Sequence, residues 1–164
     1  MNTLPNVTIY TDGSALGNPG PGGYGTVLLV DEHRKELSGG FRLTTNNRME
    51  ILGVIKGLEA LAERCRVTVY SDSQYVVNAI EKGWARKWRA KGWMRNKKEK
   101  ALNPDLWERL LDLVSQHDVA FNWVRGHDGV AENERADRLA VGAAQGVGLP
   151  PDEGYEAAAS SETA

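Results

Sequence analysis

Apolar and polar positions first alternate with a period of two, then with the longer period of helices. Val7 to Asp12 (Val, Thr, Ile, Tyr, Thr, Asp) is β-branched and aromatic, the composition of a buried strand. Nearly the same six residues return sixty positions later, from Val67 to Asp72 (Val, Thr, Val, Tyr, Ser, Asp). Thr26 to Val30 and Glu36 to Thr44 read as two more strands around a hairpin turn at Asp31 to Lys35. The period becomes helical from Asn46 to Arg64, with Ile51, Ile55, Leu58 and Ala62 on one stripe. Gly53 and Gly57 in that helix point to close packing against a neighbour. Ser71 and Gln74 form an S-x-x-Q start signal for a helix running to about Lys82. Asn103 to His117 is an amphipathic helix with Leu106, Leu110, Leu113 and Val114 inward; Val119 to Val124 is a strand, and Ala131 to Ala144 the last helix.

The glycine- and proline-rich stretch from Gly13 to Gly25 contains Gly20, Gly22 and Gly25 at G-x-G-x-x-G spacing. It leads into a strand, whereas a phosphate-cradling loop must open a helix, so a tight reversal between antiparallel strands is expected instead. Hairpins and right-handed crossovers then predict an α/β fold: a five-stranded mixed sheet of order 3-2-1-4-5, its first three strands antiparallel, with helices on both faces. That order changes winding direction between strands one and four, where open sheets place ligands.

Asp12, Asp72, Glu50 in the first turn of the Asn46 helix, and Asp137 at the start of the last helix converge on this edge. Singly, each has an ordinary reading: a turn residue, a helix cap, a capping box with Asn47, a surface acid. Together they need cations, because two carboxylates about 5 Å apart repel by about 3 kcal/mol at an effective dielectric near 20. Oxygen-only ligation suits Mg²⁺ or Mn²⁺.

Net charge is only −2 over 164 residues, but Lys82 to Lys100 holds nine bases and one acid, Glu99, leaving −10 elsewhere. Trp84, Trp88 and Trp93 fall inside this block, an interleaving that favours a nucleic-acid partner. One cysteine, Cys65, excludes an internal disulfide and fits a reducing compartment. With three scattered histidines it also argues against structural zinc. No apolar run approaches a membrane span, and Met1 to Asn6 lacks leader features, so a soluble, cytoplasmic, single-domain protein is expected, and it is taken to be a monomer. Residues 1–146 read as one domain, with 82–100 as a basic protrusion and 147–164 as a disordered acidic tail, a weak competitor for the basic segment at most.

The segments YTDGSALGNPGPGG, TTNNRMEILGVIKGLEAL, VYSDSQYVVNAI and VRGHDGVAENERADRLA resemble the four signature blocks of type 1 ribonuclease H, in order. The resemblance extends from about Val7 to Ala144 and includes the basic protrusion of bacterial members. It implies endonucleolytic cleavage of the RNA strand of RNA–DNA hybrids, leaving 5′-phosphate and 3′-hydroxyl ends. Asp12, Glu50, Asp72 and Asp137 would hold two Mg²⁺ ions, with Asp12 shared, and His127 would assist proton movement or product release. Asp128 follows that histidine where the family commonly has a small residue, and an adjacent carboxylate would raise the imidazole pKa.

By the same resemblance Asn18, Asn46, Asn47 and Gln74 would read the minor groove, and Thr45 and Asn103, with Asn18, would take a DNA-strand phosphate. Trp84, Trp88, Lys87 and Arg89 in the protrusion would grip the DNA backbone, although a core role for one of its tryptophans is also expected. No hybrid-binding extension precedes Val7, so the domain is expected to engage substrate unaided. The rival readings are a non-catalytic binder of this fold, which would need one acid missing, and a strand-transfer nuclease, which usually lacks the asparagine–glutamine set and the protrusion.

Overall fold

The period-two alternation of the N-terminal third folds into an antiparallel meander of β1 (Asn6–Ala15), β2 (Gly20–Val30) and β3 (His33–Thr44). The structure, a computed structural model, describes residues 3–126 and 129–162. Helix α1 (Asn46–Glu59) returns the chain so that β4 (Arg66–Ser71) lies parallel to β1. Helices α2 (Gln74–Glu81), α3 (Trp84–Ala90) and α4 (Pro104–Ser115) lead to β5 (Asp118–Trp123), parallel to β4. Helices α5 (Ala131–Ala144) and α6 (Glu153–Glu162) follow. The sheet order is β3-β2-β1-β4-β5, the expected topology.

The repeated strands lie side by side in the register their sequence implies. Val7 faces Val67, Tyr10 faces Tyr70 and Thr11 faces Ser71, and the two tyrosine rings stack with centroids 4.9 Å apart. The next residue of each chain is the aspartate.

Alternation along β2 assigns the helices to opposite faces. Thr26 faces α1: its hydroxyl donates to the Gly53 carbonyl at 2.7 Å, and a Cβ on Gly57 would stand 3.1 Å from the Thr26 and Ile9 methyls. This is the close packing expected from the two helix glycines. Gly23 and Gly25 face the other way, where any Cβ would overlap the carbonyls of Ala140 and Ala136 on α5. The glycine run expected to form a tight reversal is therefore mostly strand. Its missing side chains let α5 lie directly on the backbone.

Ile9, Val67, Val69, Met49, Ile55, Leu58, Trp107 and Leu110 form the core. Burial of this kind supplies most of the folding free energy, at about 25 cal/mol per Å² of apolar surface.

Element ends differ from the periodic reading where a cap or turn decides them. Helix α1 stops at Glu59, and the N–H groups of Ala60 and Leu61 bond back to Gly57 and Leu58 as the chain turns toward β4. Ala62 is consequently exposed rather than on the inner stripe. Ser73, not Ser71, caps α2 by accepting from the Val76 N–H at 3.2 Å, and Ser71 Oγ accepts from the Ser73 N–H.

The segment beyond Gly146, expected to be disordered, is instead docked. Asp152 is buried; it accepts from Thr44 Oγ1 at 2.6 Å and pairs with Arg48 at 2.8 Å, while Glu156 pairs with Arg42. The acids of this segment thus find arginines of β3 and α1 a hundred residues upstream. Composition alone could not reveal those partners.

Candidate active site

Asp12 lies near the end of β1 and Asp72 immediately after β4, so the parallel pairing carries both to one edge. Glu50 arrives from α1, whose first turn is fixed by Thr45 Oγ1 accepting from the Arg48 N–H at 3.2 Å. That helix end comes so close to β1 that a Cβ on Gly13 would overlap the backbone of Met49 and Glu50. Carboxylate oxygens of Asp12, Glu50 and Asp72 all lie within 4.8 Å of one another. Asp137, one residue along α5 from the Ala136 that rests on Gly25, reaches hydrogen-bonding range of Asp12. It does not join the 4.8 Å trio. All four predicted acids therefore meet at the switch point.

The trio is held in a low-dielectric setting. Asp12 and Glu50 are buried, and Asp12 Oδ1 accepts from the Gly13 N–H at 2.9 Å. Burial pushes the Asp12 carboxyl up to about 8; the neighbouring Glu50 bond opposes this, and the Asp72 charge and the Asp137 contact reinforce it. Glu50 is likewise driven well above the usual carboxylate range by burial first and the Asp12 charge second. Glu50 Oε2 is buried with no hydrogen-bond partner among the described residues. A buried orphan oxygen beside two more carboxylates is a donor set made for a hard cation.

The carboxylates have further supports. Trp123 Nε1 donates to the Asp72 carbonyl at 3.0 Å, and Gly126 leaves room for the Asp72 carboxylate, whose Oδ2 would stand 2.8 Å from a Cβ there.

Residues 5–145 match the family described as RNase H. The chain belongs to the ribonuclease H family. A "Ribonuclease H" of Desulforamulus reducens is 69% identical over 157 residues, covering 93% of this chain and 99% of its own. Among solved structures, LC9-RNase H1, "a type 1 RNase H with the type 2 active-site motif", superposes with a TM-score of 0.78 at 35% identity, covering 88% of this chain and 74% of that one. LC11-RNase H1, solved with an RNA/DNA hybrid, gives a TM-score of 0.63 at 25% identity over 84% of this chain and 95% of that one. The chain is thus a nuclease of the ribonuclease H family with a carboxylate cluster suited to divalent metal.

The other site residues fall into two groups around the acids. Asn18 Oδ1 accepts from the Asn46 N–H at 3.0 Å, and Asn18, Thr45, Asn47 and Asn103 line one cavity of about 490 Å³. Gln74 is the exposed first residue of α2, two residues past Asp72. In the basic segment Trp84 is the exposed tryptophan, with Lys82 Nζ 5.5 Å from its ring centroid. Trp88 stands edge-on to Trp107, and Trp88 and Trp93 both pack against the core. Lys87 is exposed, and Arg89 pairs with Asp112. His127 and Asp128 lie outside the described residues. No helix among the described residues is long and apolar enough to cross a membrane.

Gly13 and Arg48 contribute to the site without having been singled out by sequence. Gly13 had a faint signal, a glycine directly after the strand-end aspartate. Arg48 had another, a base at the buried start of a helix, two residues before Glu50.

Proposed function

We propose that this protein hydrolyses the RNA strand of RNA–DNA hybrids endonucleolytically, leaving 5′-phosphate and 3′-hydroxyl ends. The observation that carries the reading is the orphaned Glu50 Oε2 inside a carboxylate trio spanning 4.8 Å. Asp12, Glu50, Asp72 and Asp137 would hold two Mg²⁺ ions, or Mn²⁺ in their place. The chemistry that such a pair supplies is activation of a water and stabilisation of the departing 3′ oxygen.

The chain's own residues do the rest. Gly13 and Thr45 hold α1 so that Glu50 meets the strand ends, and Trp123 fixes the backbone at Asp72. The amides of Asn18, Asn46, Asn47 and Gln74 offer donors and acceptors for a 2′-hydroxyl and base edges across the wide minor groove. Thr45 and Asn103, with Asn18, would receive a DNA-strand phosphate. Trp84, Lys87 and the other exposed bases between Lys82 and Lys100 would lie along the DNA backbone. His127 would serve proton movement or product release.

Supporting this substrate choice are the family membership and a structural relative solved with an RNA/DNA hybrid. The test incubates end-labelled hybrid, single-stranded RNA, duplex RNA and duplex DNA with the protein, in Mg²⁺ and in chelator. Cleavage confined to the RNA of the hybrid, and only with metal, is the expected result. Cleavage of duplex DNA would favour a strand-transfer nuclease, and binding without cleavage a non-catalytic domain.

A further inference from the structure

The cavity shared by Asn18, Thr45 and Asn103 has a wall that lies outside the signature blocks. Gly154, Tyr155 and Ala158 of the C-terminal segment close it. Behind it sits Arg48, 3% exposed, with every side-chain nitrogen engaged. Nε donates to Asp152 at 2.8 Å, Nη2 to Asp152 at 3.0 Å and to Asp105 at 2.7 Å, and Nη1 to Asp105 at 2.9 Å and to Asn103 Oδ1 at 3.3 Å. Its backbone N–H donates to Thr45 Oγ1. Arg48 therefore has no donor group left over for a phosphate. It bonds two residues that line the cavity, Asn103 through its guanidinium and Thr45 through its backbone N–H.

Asn103 stands at φ 62°, a backbone conformation that needs support in a residue other than glycine. Because its carbonyl oxygen is taken by Arg48, its NH₂ is the group it can present to an anion. Asp152 links this arrangement to the C-terminal helix: its Oδ1 accepts from the Tyr155 N–H at 3.2 Å and so caps α6. Gly154 is pressed against Asp105 and Arg48 too tightly for a side chain. The segment is built into the cavity.

We infer that the C-terminal segment is part of the substrate-binding surface. Asp152 is a positioning residue that, through the Arg48 guanidinium, holds Asn103 ready for a DNA-strand phosphate beside Thr45, and Tyr155 is the wall along which the adjoining sugar–phosphate lies. This rests on the hybrid reading above. A charge count gives the competing expectation. Asp105 and Asp152 outnumber Arg48, so a segment that merely plugged the cavity would repel phosphate, and loosening it would tighten binding.

The experiment uses the full chain as wild type, Asp152→Asn and Tyr155→Ala. It measures hybrid Kd in chelator, KM and kcat in Mg²⁺, and binding to hybrids carrying one neutral methylphosphonate at successive DNA-strand positions. Losing one charge-assisted phosphate contact corresponds to about a tenfold change. Each variant is therefore expected to raise Kd and KM about tenfold with kcat little changed. The penalty that wild type pays for one particular neutralised phosphate should disappear in Asp152→Asn. A purely structural role would lower the active fraction, hence kcat, and leave both KM and the phosphate penalty intact; that result overturns the inference. Tighter hybrid binding by either variant overturns it too, marking the segment as a plug. If Asp152→Asn does not fold, Tyr155→Ala decides by the same readouts. If wild type binds hybrid but does not cleave it, the hydrolase reading fails while the Kd comparison still judges the C-terminal segment.

Discussion

Gly13 and Glu50 meet where no Cβ fits: a methyl on Gly13 would fall within the backbone of Met49 and Glu50. This contact sets how closely α1 approaches the end of β1, and therefore how near the Glu50 carboxylate stands to Asp12. Gly13→Ala should force the helix end outward. Overpacking of this kind costs about 1–3 kcal/mol, at roughly 2–4 °C of Tm per kcal/mol in a chain of this size. Cleavage should fall by more than the lost stability explains, because the carboxylates separate. A variant with lowered Tm but undiminished cleavage at a temperature where it remains folded would show that the approach is not needed for the site.

Asp12 gives the metal-free protein a signed pH dependence. Its carboxyl is pushed from 3.8 up to about 8 on folding. Between those values the native state holds a proton that the unfolded chain has released, so this group's contribution to stability declines as pH rises from about 4 to about 8. Asp12→Asn removes the effect and retains an oxygen for the Gly13 N–H. In chelator the variant's Tm should therefore match wild type near pH 4 and exceed it increasingly toward pH 8. A variant that melts lower at pH 8 would identify Asp12 as a structural hydrogen-bonding group.

The same substitution should remove most of the activity. Deleting one electrostatic stabiliser of a transition state commonly costs on the order of 10²–10³ in rate, and Asp12 touches both Glu50 and Asp137. Divalent ion at a hundred times its dissociation constant should stabilise wild type by about 2.7 kcal/mol, with much less gain for Asp12→Asn. Calorimetry with Mg²⁺ or Mn²⁺ reads both effects. Equal stabilisation of the two proteins would place the ion elsewhere.

The basic segment calls for a test by charge rather than by deletion, since Ala85, Trp88 and Trp93 pack against the core and removing them would open it. Lys87, Lys91, Lys97 and Lys98 are all exposed. Changing the four to alanine should lower the steepness of log affinity against log salt by about 0.9 for each lysine that neutralises a phosphate, so by up to roughly 3–4. Chemistry at saturating hybrid should stay close to wild type. An unchanged slope would take the segment out of the substrate path.

The period-two and helical alternations, the near-identical strands ending at Asp12 and Asp72, and the handedness of crossovers were enough to order the five strands and bring four acids to one edge. Those features are local or follow from rules that do not depend on partners, so they are legible in the chain itself. Gly23 and Gly25 of β2 were not legible as strand, because their use is to admit the backbone of α5, which is written more than a hundred residues later. Nor were the docked C-terminal helix, the Arg48 network with Asp105 and Asp152, or the lodging of Trp88 against Trp107. An acid reads as part of a solvated tail until the arginine that neutralises it is brought alongside, and the sequence that gives one tryptophan among the lysines a core role does not say which one or against what face. Pairings between residues distant in sequence carry no local signal; the packed chain alone determines them.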